Sequence, residues 1–464
     1  MKSCCKIKLF TGNGAANIII PIASIVLIYL LVSIYFTDHF FFNTVINRAD
    51  VSLKAHDEAE GIIRGYIKDY KLQLIERNGE VEEILGQDIG LQYNEENSIA
   101  IIYQIQNPLM WISSLFKGQK YYVSDLYVYN KDNLENEING LNCLNKVIIE
   151  PQNVSFVYSN GTYEAVEAIY GNKIIKDRLS EAIKISISKG QKKLNLDGNL
   201  CYENPKFTLS SDKTPETKNL LDKYVKAKIT YIFGSESETL DGNTINKWLS
   251  VDEDLEVVID KKAVMEYVQG LSKKYDTVGA ARNFKTSIGK IVEIKGGLYG
   301  WRINRPAEAK ALIENIKLGE MLEKEPIYTQ RALSRDENEI GNTYVEINIT
   351  RQYLWYYKDG KLITRGAVVT GNPNKGYSTV LGTYMLNYKQ KGATLVGPDY
   401  EAEVTFWMPF FGNIGIHDAS WRYSFGGDVY KRNGTHGCVN VPFNLAKKIF
   451  DNIEAGTPII CYEE

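Results

Sequence analysis

The chain has 464 residues, 44% of them hydrophobic and 24% charged, which is enough for two to four globular domains with sizeable cores. A formal net charge of −3 lacks the basic footprint that phosphate binding leaves, and argues against nucleic acid as a partner. Tyrosine is abundant, at 31 residues, and with β-branched residues around it predicts much strand.

Residues 17–36 read NIIIPIASIVLIYLLVSIYF, without a charge. The run is long enough to cross a hydrocarbon core of about 30 Å as a helix. Lys2, Lys6 and Lys8 precede it, and no acidic residue appears before Asp38. The positive-inside bias then predicts a cytoplasmic tail over 1–16 and a single-pass anchor in the cell membrane over 17–36. Everything beyond about residue 37 then lies outside. A cleaved signal peptide would have a shorter apolar run and a small-x-small cleavage site. Cys4 and Cys5 fall in the tail; Cys143, Cys201, Cys438 and Cys461 fall outside. Four cysteines over so long a stretch are too few for a disulfide framework. Cys143 and Cys201 either pair or are two buried thiols, and Cys461, in PIICY, reads as core.

Residues 37–124 read as a juxtamembrane region: a helix or stalk over about 50–68, then a hairpin turning at Asn78 and Gly79. From residue 125 an internal repeat follows. Tyr170 and Gly171 match Tyr299 and Gly300, and Gly190 matches Gly319, in one register. Each copy reads as a strand, a helix, further strands, a Tyr-Gly turn and an amphipathic helix ended by glycine. Ala309, Leu312, Ile313 and Ile316 fall at helical spacing and face a core. The copies, over 125–205 and 206–328, are two tandem α+β modules.

A polar linker then leads to a β-rich domain over 343–464. Val345, Ile347 and Ile349 alternate with Glu346 and Asn348, the pattern of a half-buried strand. A hairpin turns at Asp359 and Gly360, and a helix carries Pro442 in its first turn and Gly456 past its end. The fold class is therefore α+β: a transmembrane helix, two tandem α+β modules and a C-terminal β-rich domain.

The chemistry gathers in NGTHGCVNVP, which sets Thr435, His436, Gly437, Cys438 and Asn440 side by side. A thiol that acts as an acyl-transfer nucleophile needs a base, donors for an oxyanion and access for substrate. The helix starting near Pro442 favours thiolate at Cys438. Gly437 lets substrate approach the backbone. The N–H groups of Gly437 and Cys438 are the natural oxyanion donors, and Asn440 can hold the loop. The base is either His436, two residues from the thiol, or His417, at the end of IGIH; spacing does not rank them. With only 4 histidines in the chain, two around one cysteine favour a site. Zinc would need Cys438, His417, His436 and Asp418 to converge, and no C-x-x-C or H-x-x-x-H spacing supports it. No metal and no cofactor is expected.

The stretch IHDASWRYSFGGDVYKRNGTHGCVNVP resembles the signature of YkuD-type L,D-transpeptidases: a histidine, a spacer, then Ser/Thr-His-Gly-Cys with Asn or Arg two positions on. The resemblance covers residues 343–464, including VVTGNP and the closing GTPIICY. The repeats resemble the peptidoglycan-binding domains often found between an anchor and this catalytic domain. The resemblance implies Cys438 as nucleophile and His417 as general base. It also implies that Asp418 orients that histidine, through its main-chain carbonyl in some members. Thr435, His436 and Gly437 would line the site, with Gly437 and Cys438 at the oxyanion-hole positions. Thr379, Val380, Leu381 and Gly382 stand where members commonly have Thr-Pro-x-Gly. The implied reaction joins the third-position diamino acids of two peptidoglycan tetrapeptide stems through a Cys thioester. With water as acceptor it becomes an L,D-carboxypeptidase. A non-catalytic wall-binding protein would have lost base or nucleophile, and both are present. Trp407, Trp421, Tyr423 and Phe425 bracket His417 as a groove or as core. Residues 390–401 read as a lid over the site or a surface loop, with the loop favoured for most of the stretch.

Overall fold

The computed structural model describes residues 13–96, 99–335, 338–397 and 400–464. Residues 1–12, with Cys4, Cys5 and the three lysines of the expected tail, lie outside the described residues. The chain forms two compact units, one of residues up to 155 with 166–211, the other of 156–165 with 212–464.

The first unit opens with α1 (Asn13–Tyr35). Its stretch Ile18–Tyr35 is long and apolar enough to cross a membrane and is only 6% buried. Short helices α2 (Ala100–Ile105) and α3 (Trp111–Ser114) follow later in this unit. Strands β1 (Lys71–Ile75) and β2 (Val81–Leu85) form an antiparallel hairpin. After helix α4 (Lys176–Ser188), strand β3 (Lys193–Asn195) lies parallel to β1. Leu72, Leu74 and Ile84 of the hairpin pack with Leu179, Ile183 and Ile187 of the helix. The hairpin, expected within the juxtamembrane region, thus shares its sheet and its core with the first module. Cys143 and Cys201 are buried free thiols, and burial pushes Cys143 up to about 12.

The second unit repeats this plan. After α5 (Lys213–Val225), β4 (Lys228–Phe233) and β5 (Glu236–Leu240) form a hairpin. A second hairpin, β6 (Arg282–Lys285) with β7 (Ile291–Ile294), precedes α6 (Arg305–Leu318). Then β8 (Met321–Lys324) lies parallel to β4. Ala309, Leu312 and Ile316 of α6 are buried in its core, with Ile313 packed against it. The matched Tyr-Gly turns have one physical cause. Gly171 (φ 65°) and Gly300 (φ 139°) are left-handed, and a Cβ would meet the Ile149 carbonyl oxygen at 2.2 Å and the Thr277 carbonyl oxygen at 2.5 Å.

The C-terminal domain follows as β9 (Tyr344–Asn348), β10 (Tyr353–Lys358), β11 (Lys361–Ala367), β12 (Gly382–Met385), β13 (Gln390–Gly397), β14 (Tyr400–Phe411), β15 (Ile414–Asp418), β16 (Val439–Val441), α7 (Phe443–Asn452) and β17 (Pro458–Tyr462). One sheet runs β11-β10-β9-β17-β12 and the other β13-β14-β15-β16. Between them Ile347, Leu354, Met408, Ile416, Val439 and Ile449 form the main core. The described residues 390–397 are not a loop over a surface: as β13 they pair with β14.

The alternation in β9 also reads differently in three dimensions. Glu346 and Asn348 are fully buried, because β9 is a central strand and the β6–β7 hairpin covers its second face. Phe284 and Ile294 pack there with Ile460 and Tyr462. Glu346 answers a buried donor and two half-buried ones: it accepts from the Tyr462 hydroxyl at 2.7 Å, and from the Ser287 N–H at 3.0 Å and the Ser287 hydroxyl at 2.5 Å. Glu346→Ala would strand those donors, at about 1–3 kcal/mol for each one left unpaired. The denaturant midpoint of the full chain is therefore expected to fall clearly in Glu346→Ala and less in Glu346→Gln. Equal midpoints for wild type and Glu346→Ala would show that these bonds do not hold the hairpin.

Candidate active site

Register builds the site. β15 and β16 pair in parallel, with Ile416 opposite Val439, His417 opposite Asn440 and Asp418 opposite Val441. Side chains alternate across a sheet, so Ile416 and Val439 enter the core while His417 and Asn440 face the other way, onto a cavity. The VVTGNP segment lies along the same strip. Val369 and Asn440 exchange backbone hydrogen bonds of 2.9 Å, and the Asn372 N–H donates to the Thr435 carbonyl at 3.0 Å.

His417 is buried, 3% exposed. Its Nδ1–H donates to the Asp418 carbonyl at 2.9 Å. That bond assigns the tautomer and leaves the lone pair on Nε2. Burial pushes its pKa below the usual histidine value, opposed by the bond to Asp418 and by the Asp418 charge. The Asp418 carboxylate points elsewhere, accepting from the Thr405 and Phe406 N–H groups at 2.9 and 2.7 Å. It ties β14 to β15.

Cys438 is half-buried, and its thiol donates to the Asn413 carbonyl at 3.4 Å. Burial pushes the thiol up to about 11, opposed by the Gly415 N–H. The helix expected to favour thiolate does not reach it. All of β16 stands between Cys438 and Phe443, where α7 begins, and a helix-end field acts only over about one turn.

Two threonines brace the strip. Thr435 Oγ1 accepts from the Gly437 N–H at 3.0 Å and donates to the Cys438 carbonyl at 2.6 Å. Thr379 Oγ1 accepts from the Gly371 N–H at 2.9 Å and donates to the Gly437 carbonyl at 2.7 Å. Gly437 sits at φ 121°, and a Cβ there would press on Ile414 Cδ1 at 3.1 Å. Its N–H, expected as an oxyanion donor, is thus engaged by Thr435 and must exchange partners to take that role.

His417, Trp421, Arg422, His436, Cys438 and Asn440 wall a cavity of about 250 Å³, completed in part by Leu395 and Ala402 of the β13–β14 hairpin. The exposed His436 ring lies 4.4 Å from that of Tyr377. Two buried polar atoms on this wall have no partner among the described residues: Asn440 Oδ1 and Arg422 Nε. Buried polar atoms are nearly always paired, so the wall is set for a ligand offering both an N–H and an acceptor. Among the described residues, no group of three or more His, Cys, Asp or Glu is arranged to hold a metal ion.

The model of the YkuD family, described as L,D-transpeptidase catalytic domain, matches residues 342–461. A second, described as "Putative peptidoglycan binding domain", matches residues 83–195 and 209–322. No curated protein matches the chain. Among solved structures, a cysteine-to-serine mutant of Enterococcus faecium L,D-transpeptidase is 33% identical, over 53% of this chain and 100% of that one, with a TM-score of 0.44. The NMR structure of the catalytic domain from E. faecium L,D-transpeptidase is 38% identical over 26% of this chain and 97% of that one, with a TM-score of 0.25. An L,D-transpeptidase from Mycobacterium smegmatis is 20% identical over 26% of this chain and 58% of that one, with a TM-score of 0.23. The two family models together span both repeats and the C-terminal domain, and they decide the family. The chain belongs to the YkuD-type L,D-transpeptidases.

In this L,D-transpeptidase, Cys438, His417, His436, Asn440 and Thr435 meet at one cavity, whereas Gly437 and Asp418 act from behind its wall. The aromatic bracket divides. Trp407 is buried, Trp421 forms wall, and Tyr423 is fully exposed. Sequence reasoning missed Arg422, whose signal is a lone cation inside the aromatic run WRYSF. It also missed the contact of Thr379 with Gly437, although that threonine keeps its family position where the next residue does not. The raised thiol predicts a reactivity profile. Alkylation of Cys438 by iodoacetamide, followed by mass spectrometry of its peptide, is expected to climb with pH toward about 11. A plateau already reached near neutral pH would mean that a thiolate–imidazolium pair exists at rest.

Proposed function

We propose that this chain is a single-pass membrane L,D-transpeptidase in which Cys438 carries an acyl group between two peptidoglycan stems. The anchor is α1, with Lys2, Lys6 and Lys8 on the cytoplasmic side and the chain beyond α1 outside, where wall precursors lie. One observation carries the reaction: Cys438 and His417 share a cavity, and the Asp418 carbonyl holds Nδ1–H so that Nε2 can take a proton.

In this mechanism Nε2 removes the thiol proton as Sγ attacks the carbonyl of the third, diamino-acid residue of a tetrapeptide stem. The bond to the terminal D-alanine breaks, and the imidazolium returns its proton to the leaving amine. A thioester remains. The side-chain amine of a second stem attacks it, His417 accepts a proton from that amine, and Sγ is released and reprotonated. The product joins two third residues. Asn440 Oδ1 suits a peptide N–H, and the half-buried Arg422 suits a carboxylate. In a tetrapeptide donor, the carboxylate beside the scissile bond is that of D-alanine.

A carbapenem is expected to add its mass at Cys438, and tetrapeptide stems to yield dimers with release of D-alanine. Cys438→Ala should show neither. His417→Ala should abolish thioester formation, and His436→Ala should slow it less. An unmodified wild-type chain that releases no D-alanine would overturn the assignment. Separately, Arg422→Met should raise KM for the tetrapeptide donor about tenfold, the size of one charge-assisted hydrogen bond. An unchanged KM would remove Arg422 from donor binding.

A further inference from the structure

The first unit exposes a second apolar element beside α1. Residues 99–116 contain no charged side chain, and Lys117 and Lys120 follow them directly. Ile99 and Ile102 anchor the segment in the unit's core, but most of its other apolar side chains are not folded inward. Phe116 is 85% exposed, Ile101 69% and Ile105 67%, and Leu109, Met110 and Leu115 are each about half exposed. Ile101 and Ile105 share one face of α2, four residues apart. An apolar surface of this extent on a water-facing protein demands a cover.

Its position says what the cover is. The Tyr29 hydroxyl of α1 donates to the Leu109 carbonyl. The Trp111 ring lies 6.0 Å from Tyr29 and 6.1 Å from Phe36. Gln106 closes the end of α1, its Nε2–H donating to the Phe36 and His39 carbonyls at 3.2 and 2.8 Å. Tyr29 lies about 9 Å inside the Tyr35 end of the helix, at the rise of an α-helix. Leu109 is therefore held alongside the apolar stretch of α1, not above it. The backbone suits that depth. The N–H groups of Met110, Leu115 and Phe116 bond to carbonyls within the segment. The Ser113 and Ser114 hydroxyls fold back onto the Met110 and Trp111 carbonyls at 2.7 Å each. Backbone enters a bilayer only when its polar groups are answered in this way.

We propose that residues 99–116 are a second membrane contact, laid into the outer leaflet against α1, with their exposed apolar side chains among the acyl chains and Lys117 and Lys120 at the headgroups. This rests on α1 being a membrane anchor. A single helix leaves the body above it free to tilt; a packed segment at its side restricts that tilt for the first unit.

Trp111 gives the test, since Trp248, Trp301, Trp355, Trp407 and Trp421 all belong to the second unit. The full chain is reconstituted into phosphatidylcholine–phosphatidylglycerol vesicles with or without bromine on the acyl chains. Brominated lipid is expected to quench part of the tryptophan emission, and Trp111→Phe to lose that quenching. Phe116→Trp, placed in the Trp111→Phe chain, should restore it, which separates lipid contact from damage to the Trp111 site. A chain that floats with the vesicles but shows no quenching, or quenching that survives Trp111→Phe in full, overturns the proposal alone. A chain that does not float with the vesicles overturns the anchor beneath it as well.

Discussion

Parallel pairing of β15 with β16 is the constraint on which the catalytic domain depends. His417 stands opposite Asn440, and Cys438 stands one residue before that pair begins at Val439. Because side chains alternate, a slip of one residue would turn His417 into the core and Ile416 onto the cavity. Ile416 and Val439, both fully buried, oppose such a slip by the hydrophobic cost of exposing them. The Asp418 carboxylate adds a polar lock on the other side, through the Thr405 and Phe406 N–H groups. Packing and chemistry are therefore set by one register rather than by two independent arrangements.

That register places two titratable groups where charge is costly. Burial raises the Cys438 thiol and lowers the His417 imidazole, which favours the neutral form of both. A resting thiolate is not required by the proposed mechanism, because attack and proton transfer to Nε2 can occur together. On the proposed topology, outside a membrane, neutrality also has a use, because thiolates are the form that oxidants attack. The Gly415 N–H, which opposes the raised pKa of the sulfur, is positioned to favour charge there once it develops.

Much of this was legible in the sequence, for reasons that differ by element. The apolar run of α1 and the THGC strip declare themselves locally, by composition and by a scarce residue pair. Gly171 and Gly300 marked the repeat because backbone approaches each too closely for any Cβ. Choosing His417 over His436 needed the family resemblance, since strand pairing between distant segments leaves no trace in spacing. The β1–β2 hairpin was read outside its module because its partner β3 lies more than a hundred residues onward. Glu346 looked solvent-facing because alternation reports one face of a sheet and not what a neighbouring hairpin lays over the other. Residues 390–401 looked mostly like a loop because nothing in them is catalytic; Leu395, with Ala402 just beyond the stretch, contributes shape.

The most informative detail of the strip is the one that runs against its expected role. The Gly437 N–H is occupied by the Thr435 hydroxyl, so the resting strip leaves no strong vacancy for a neutral carbonyl. A neutral substrate oxygen would gain little by displacing one neutral acceptor with another. An oxyanion is different, because a hydrogen bond to a charged acceptor is roughly twice as strong as a neutral one. On the proposed mechanism the exchange becomes favourable only as negative charge builds on the attacked carbonyl. The interaction would then be realised in the transition state and largely withheld from the bound substrate, which is the condition for binding energy to accelerate a reaction. Thr435 keeps its bond to the Cys438 carbonyl through that exchange, so the strip can release one donor without losing its shape.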